Sequence, residues 1–382
     1  MEYAIPYLLL VAFLGFLAFV YDSREDATLR GATTAVALLT MVVFFGFRGF
    51  CFYDWNSYYP EFIEFQPREL FELPIIKWRF EPGFQILLAA CKGLVDNYHF
   101  FVFVCTCIDT ILLLNFLKKR VDNIPLAITV CICMNGIIMF TDLMRNSISI
   151  LIFMNTLGYL KERRPLPFFL FNLFGMTFHL SSAAFLPLYF VLHRRWPKWL
   201  YLGLFLAGNA IYLLHIPIFL TVVSVFLGFV NPDLQWKVHE YTELMANEEF
   251  RLSIGYLERL LTGVLVFVYI DKLREQREDN DIFINSILLY LVMFFFFSEF
   301  KTISTRMSML FTYGYWIIWI DLIKCFAISS NRRLFVAFLS IYCLFKMYGS
   351  TNYIIARYDN VLFGAEPYNT RVLIYNKNFN EI

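Results

Sequence analysis

Arg48, Arg79, Arg145 and Arg306 each stand near one end of an apolar stretch, and their surroundings suggest the chemistry of this chain. A guanidinium is a planar fork of N–H donors that grips paired phosphate or carboxylate oxygens and keeps its charge at any physiological pH. Acids and hydroxyls accompany these arginines. Asp54 and Tyr58 follow Arg48 in RGFCFYDWNSYY, Glu81 follows Arg79 in WRFEPGF, Asp142 precedes Arg145 in FTDLMRNSIS, and Lys301 precedes Arg306 in SEFKTISTR. His179 lies in the apolar run MTFHLSSAAFLPLY. Cations of this kind stabilise charge on a departing diphosphate, and a carboxylate or imidazole accepts the proton of an attacking sugar hydroxyl. An arginine cannot be that base, which leaves Asp54, Glu81 or His179. Interleaved Trp55, Tyr58, Tyr59 and Trp78 offer apolar faces for sugar rings and a lipid tail.

Each group also has a plainer account. Arg48 is placed to snorkel to a membrane interface and pair with Asp54. Glu81 precedes Pro82, a residue suited to a first helical turn, so its carboxylate could cap a helix; the same helix start could hold an anion on its free N–H groups. Asp142 and Arg145 have the i,i+3 spacing of a structural pair. His179 could simply hydrogen-bond to Ser181 or Ser182. A charge this close to apolar segments is nevertheless costly unless it is paired or faces a wet cavity.

The elements that must position these groups are membrane helices. Of the 382 residues 59% are hydrophobic, 20% aromatic and only 16% charged, and several apolar runs are long enough to cross a bilayer. Ten-residue alternation of the β-barrel kind is absent from the pattern. The expected fold is therefore all-α, one polytopic transmembrane domain over 1–382 with about twelve spans, within a range of about ten to fourteen. A net charge of +1 with no basic tail gives no reason to expect a nucleic-acid partner. The eight cysteines lie mostly inside apolar helices, as small hydrophobes do, so neither a disulfide framework nor a metal site is expected.

Basic clusters at Arg24/Arg30, Lys118–Arg120, Lys161–Arg164, Arg194–Lys198, Lys272–Arg277 and Lys324–Arg333 fall between spans, and the positive-inside rule puts them in the cytoplasm. The loops 48–80 and 231–253 and the tail 349–382 then fall outside. Residues 81–95 and 216–230 are apolar but short, which suggests half-inserted or surface-lying helices. Residues 166–192, basic at both ends, must go out and return in two short helices that meet near His179.

At these residues the chain resembles the EpsG family of Wzy-like bacterial polysaccharide polymerases. The resemblance rests on RGFCFYDWNSYY after the second span, the FEPGF helix start, the MRNSIS turn, FHLSSAAFLPLY, STRMSMLF and a tail ending near EPYNT. Asn146 and Ser149 stand where the family pattern leads one to expect Gln and Ala. The resemblance implies a glycosyltransferase of the polytopic, lipid-phosphate-using type in the bacterial inner membrane. It would move a growing glycan from an undecaprenyl diphosphate carrier onto another lipid-linked repeat unit at the outer face, beside a flippase and a chain-length regulator, without nucleotide sugar, cofactor or metal. On that reading Arg48, Tyr58, Arg79, Arg145, Lys301 and Arg306 hold diphosphate and saccharide, and Asp54, Glu81, His179 and Arg145 carry the catalysis. A ligase using the same donor, a flippase-type transporter and an O-acyltransferase centred on His179 are the alternatives. A transporter would call for inverted repeats and mid-membrane charges, and an acyltransferase for a cytosolic entrance.

Overall fold

The computed structural model describes residues 2–72, 74–218, 221 and 253–378. Among them regular structure is helical, and five helices are long and apolar enough to cross a membrane: Glu2–Ser23, Ala27–Gly46, Tyr98–Leu117, Ile124–Thr141 and Ser329–Thr351. An all-helical membrane protein is thus what the chain forms. The expected outer loop 231–253 lies outside the described residues apart from Ser253, as does most of 216–230. Two compact units emerge, Met1–Val191 with Ile328–Ile382, and Leu192–Ala327.

In the first unit the helix Met144–Lys161 packs along both Tyr98–Leu117 and Pro165–Met176. Lipid tails are as apolar as the helices, so hydrophobic burial does little to hold spans together, and polar side chains supply part of the attraction. Asn115 donates to Asn155 at 2.6 Å, Ser147 to Asp109 at 2.7 Å and Asn172 to Thr156 at 3.3 Å. After Met176 the chain turns at Thr177–His179 into the short helices Leu180–Phe185 and Leu188–Val191.

The helix Ala27–Met41 ends in a π-helical turn, Val42–Gly46. Carbonyls at a helix end lack intrahelical partners, and the C-terminal tail supplies them from about 315 residues away in sequence. Asn360 donates its amide to the Val43 carbonyl at 3.0 Å, Tyr358 its hydroxyl to the Phe44 carbonyl at 2.9 Å, and Arg48 its guanidinium to the Phe45 carbonyl at 2.6 Å. Backbone bonds from Gly49 to Asp359 and from Val361 to Phe47 complete the clasp. Beyond it Tyr368–Asn378 lays Tyr368, Val372 and Tyr375 on an aromatic core around Phe50, Trp55, Tyr58 and Tyr98.

The second unit centres on Asn280–Phe296, which packs against Lys198–Leu213, Ile254–Gln276, Lys301–Met309 and Tyr313–Cys325. Its polar ties include Tyr256 to Asn209 at 2.9 Å, Arg259 to Tyr290 at 2.8 Å and an Arg277–Asp321 ion pair at 2.9 Å.

The clasp makes a direct prediction. Asn360 is buried and also accepts the Leu362 N–H at 3.0 Å, so Asn360→Ala strands two backbone groups. Stability should fall by about 1–3 kcal/mol, read as a drop of several degrees in the thermal midpoint of the detergent-solubilised protein. An unchanged midpoint would refute the clasp.

Candidate functional site

Two short helices build the site, the first anchored at both ends and the second at its start by long-range partners. Trp55–Glu64 begins under Asp142, whose Oδ1 accepts the Tyr53 N–H at 2.8 Å and the Asp54 N–H at 3.2 Å. A side-chain oxygen on the open N–H groups of a helix start offsets their lost hydration. At the other end buried Lys92 donates to the carbonyls of Phe62 and Ile63 at 2.7 and 2.8 Å, as a cation should at a helix C-terminus. Asp142 and Lys92 therefore fix where Tyr58 and Asp54 sit.

The second helix, Pro82–Leu94, starts with a proline whose φ is already helical and whose missing N–H costs nothing there. Gly83 and Phe84 direct their N–H groups at the Thr177 carbonyl, at 2.7 and 3.3 Å. A protein carbonyl therefore occupies the donors that an anion could have used at this helix start. Gly83 is required by this contact, because a Cβ there would overlap the Thr177 side chain. The Glu81 side chain makes no capping bond to its own helix.

Glu81 instead meets Arg145. Its Oε2 lies 2.5 Å from Arg145 Nη1, and its Oε1 accepts the Leu180 N–H at 3.2 Å. The guanidinium stands 4.6 Å from the Phe80 ring centroid and 5.8 Å from that of Tyr58, in the range of cation–π attraction. Arg145 Nε donates to the Tyr58 hydroxyl, which donates to Asp54 Oδ2, both long at 3.5 Å. Arg145 and Glu81 side chains remain 24% and 21% exposed, so the pair can still meet a ligand. His179, next to Leu180, opens the following 3-10 helix; its Nδ1 accepts the Ser181 N–H at 3.2 Å and lies 2.7 Å from Ser181 Oγ.

Charge states follow from these contacts. Burial pushes the Glu81 carboxyl up, but its own backbone N–H, Arg145 and the Leu180 N–H outweigh that and hold it below the usual carboxylate range. Asp142 goes the other way. Burial first, and then the Asp54 carboxylate, push it up to about 7 despite the two N–H groups it accepts. Tyr58 is raised by burial and by Asp54, so it stays a neutral hydroxyl that can both donate and accept.

The arginines expected together are placed differently from one another. Arg48 is buried, with its fork on the carbonyls of Phe45 at 2.6 Å and Thr141 at 3.1 Å, the end of one helix and of another. Arg79 is half exposed and lies 3.8 Å from Glu61, beside a cavity of about 190 Å³ lined by Glu61, Glu64, Glu69, Lys77 and Trp78. Lys301 and Arg306 belong to the second unit, on Lys301–Met309, where Arg306 is exposed. Asp142 and Arg145 do not pair with each other. Asp54, Tyr58, Glu81, Arg145 and His179 do come together, all in the first unit. Phe80 and Thr177 join them without having been singled out in the sequence; the only signal was the R-F-E-P-G string, in which an aromatic sits between a cation and an acid. Among the described residues no group of histidines, cysteines and acids could hold a metal ion.

A helical unit bearing an arginine–glutamate pair, an aromatic cradle and a histidine at one polar cluster defines a helical membrane protein with a partly open polar site. A family model described as the EpsG family matches residues 32–369, which include Arg48 and every residue of that cluster, and the chain belongs to this family. No curated protein and no solved structure matches it.

The raised Asp142 carboxyl sets a pH dependence. Because the folded state holds this proton more tightly than the unfolded chain, the group's stabilisation is complete below about pH 4 and is lost as pH rises through about 7. Asp142→Asn keeps the acceptor oxygen for Tyr53 and Asp54 but cannot ionise. The thermal midpoint of wild type relative to D142N should therefore fall between pH 5 and pH 8; a difference independent of pH would contradict the assignment.

Proposed function

We propose that this protein joins undecaprenyl-diphosphate-linked oligosaccharide repeat units into polysaccharide, working at the outer face of the bacterial inner membrane. The observation that carries the proposal is the Arg145–Glu81 pair cradled by Phe80 and Tyr58 and still open to a ligand. Family membership supports the same activity. The carboxylate fixes the guanidinium in one orientation, so an arriving diphosphate meets a donor that needs no reorganisation, the arrangement that gives electrostatic catalysis its size.

In the reaction the bond from the donor sugar's anomeric carbon to the diphosphate oxygen breaks, and the electron pair leaves with the diphosphate. The acceptor's hydroxyl oxygen bonds to that carbon and its proton passes to a carboxylate. Glu81 is a poor choice for that base, with one oxygen on Arg145, the other on the Leu180 N–H, and its proton affinity reduced. Asp54, linked through Tyr58 to Arg145, is the better one. Arg48 serves this site at one remove, by closing the helix ends that carry Asp142 and the loop after Phe47.

In this reading the remaining long helices, among them Met144–Lys161 and Ile254–Gln276, are spans too, about twelve in all, with the basic clusters inside and the arginine site outside. The partners are the bilayer, the lipid-linked glycan and, in the same pathway, a flippase and a chain-length regulator. A ligase would share the donor but would give single transfers in place of a ladder.

Purified protein in nanodiscs, supplied with a synthetic lipid-diphosphate oligosaccharide and neither nucleotide sugar nor divalent metal, should produce a ladder of polymers. Arg145→Ala should lower its rate by about 10²–10³-fold, the loss expected for one transition-state donor. Arg145→Lys should recover little, since an ammonium cannot reproduce the fork. Undiminished ladders from R145A would refute the proposal.

A further inference from the structure

His179, Ser181, Asn146 and Ser149 form a chain of contacts in which the protons can be counted. Ser181 Oγ lies 2.7 Å from His179 Nδ1 and 3.0 Å from the side-chain atom placed as Asn146 Oδ1. Ser149 Oγ lies 3.2 Å from the same amide atom and 3.0 Å from the Asn146 backbone carbonyl. The Ser181 backbone N–H points at His179 Nδ1 from 3.2 Å.

A backbone N–H is only ever a donor, so Nδ1 must offer a lone pair, and the proton of a neutral imidazole must be on Nε2. The remaining contacts agree on one further condition. Ser181 has a single hydroxyl proton, which goes to Nδ1 at the shorter distance. Ser149 likewise has one, which goes to the only neighbour that cannot donate, the Asn146 carbonyl. Both serine oxygens are then left as acceptors facing the Asn146 amide, and they are satisfied together only when the amide is turned by half, to present its NH₂ where Oδ1 is placed. Side-chain amide nitrogen and oxygen are interchangeable by a half-turn, whereas the backbone N–H is not, so the amide is the group that adapts.

From this proton count we infer that Ser181 and Asn146 are positioning residues that hold His179 neutral with its proton on Nε2. The imidazole therefore acts as a hydrogen-bond donor to an oxygen of the departing diphosphate and not as the base. It cannot take a proton at Nε2, which already carries one, and a proton at Nδ1 would be set against the Ser181 backbone N–H, which can only donate. The electron pair of the breaking bond goes to the diphosphate, the acceptor's proton goes to a carboxylate, and the Nε2 proton stays on the ring. This rests on the proposed transfer from a lipid diphosphate; the tautomer itself does not.

Two substitutions separate the ring's halves. An asparagine at 179 can keep the Ser181 N–H through its oxygen but has no group where Nε2 lies, and a glutamine reaches that position with an N–H donor. In the nanodisc polymerisation assay His179→Gln should stay within about tenfold of wild type, and His179→Asn should fall about 10²-fold or more. A base would be lost equally in both, so equal losses would overturn the inference. Independently of turnover, ¹⁵N spectra of histidine-labelled proteoliposomes, with the His179 signals located among the five histidines by difference against H179Q, should show bare Nδ1 and protonated Nε2. Ser181→Ala should shift them toward a mixture of tautomers. A protonated Nδ1 in wild type at neutral pH would overturn the inference outright. Absence of polymer from wild type would count against the transferase reading, and the spectra would still decide the tautomer.

Discussion

A guanidinium in the first turn of a largely buried helix is tolerable only if its charge is met, and the first unit is organised around meeting that of Arg145. Arg145 sits in the first turn of Met144–Lys161, at the helix end where the backbone dipole is unfavourable to a cation. Glu81 compensates at 2.5 Å, and the faces of Phe80 and Tyr58 contribute quadrupole attraction. Holding Glu81 there fixes the start of Pro82–Leu94, and that start fixes Thr177 and with it the turn bearing His179. The catalytic candidates are thus coupled through one ion pair rather than placed independently.

A second layer keeps that arrangement rigid. Asp142 and Lys92 hold the two ends of the helix carrying Tyr58, and the tail residues Tyr358 and Asn360 close the carbonyls of the π-helical turn at Val42–Gly46. Arg48 works within this layer, which explains why a cation at a helix end need not touch a ligand. The aromatic cluster from Phe50 to Tyr98 fills the space between tail and helices, so the site rests on packing as well as on hydrogen bonds.

Much of this could be read from the residues, and what could not has identifiable causes. Apolar run length gave the helices, because about 20 residues are needed to cross the hydrocarbon whatever the sequence. The cost of a charge near the membrane singled out Arg145. Its partner was hidden. The i,i+3 spacing pointed to Asp142, but that rule holds only within one helix, and the helix starts at Met144 after a non-helical Leu143. Asp142 lies before the start and caps another helix instead. Arg48 was legible as a helix-end cation, yet its partners depend on a π-helical turn that composition does not announce. Likewise, Pro82 announced a helix start, but nothing in the sequence said that the Thr177 carbonyl would fill it.

The central claim is that the Arg145–Glu81 cradle is where the lipid diphosphate binds. Electron cryomicroscopy of the full chain in a nanodisc with a non-hydrolysable lipid diphosphate saccharide tests it most directly. The account predicts phosphate density within hydrogen-bond distance of the Arg145 guanidinium and beside His179, with Glu81 still against the same side chain. Phosphate density elsewhere, with the Arg145–Glu81 pair closed and untouched, would contradict it.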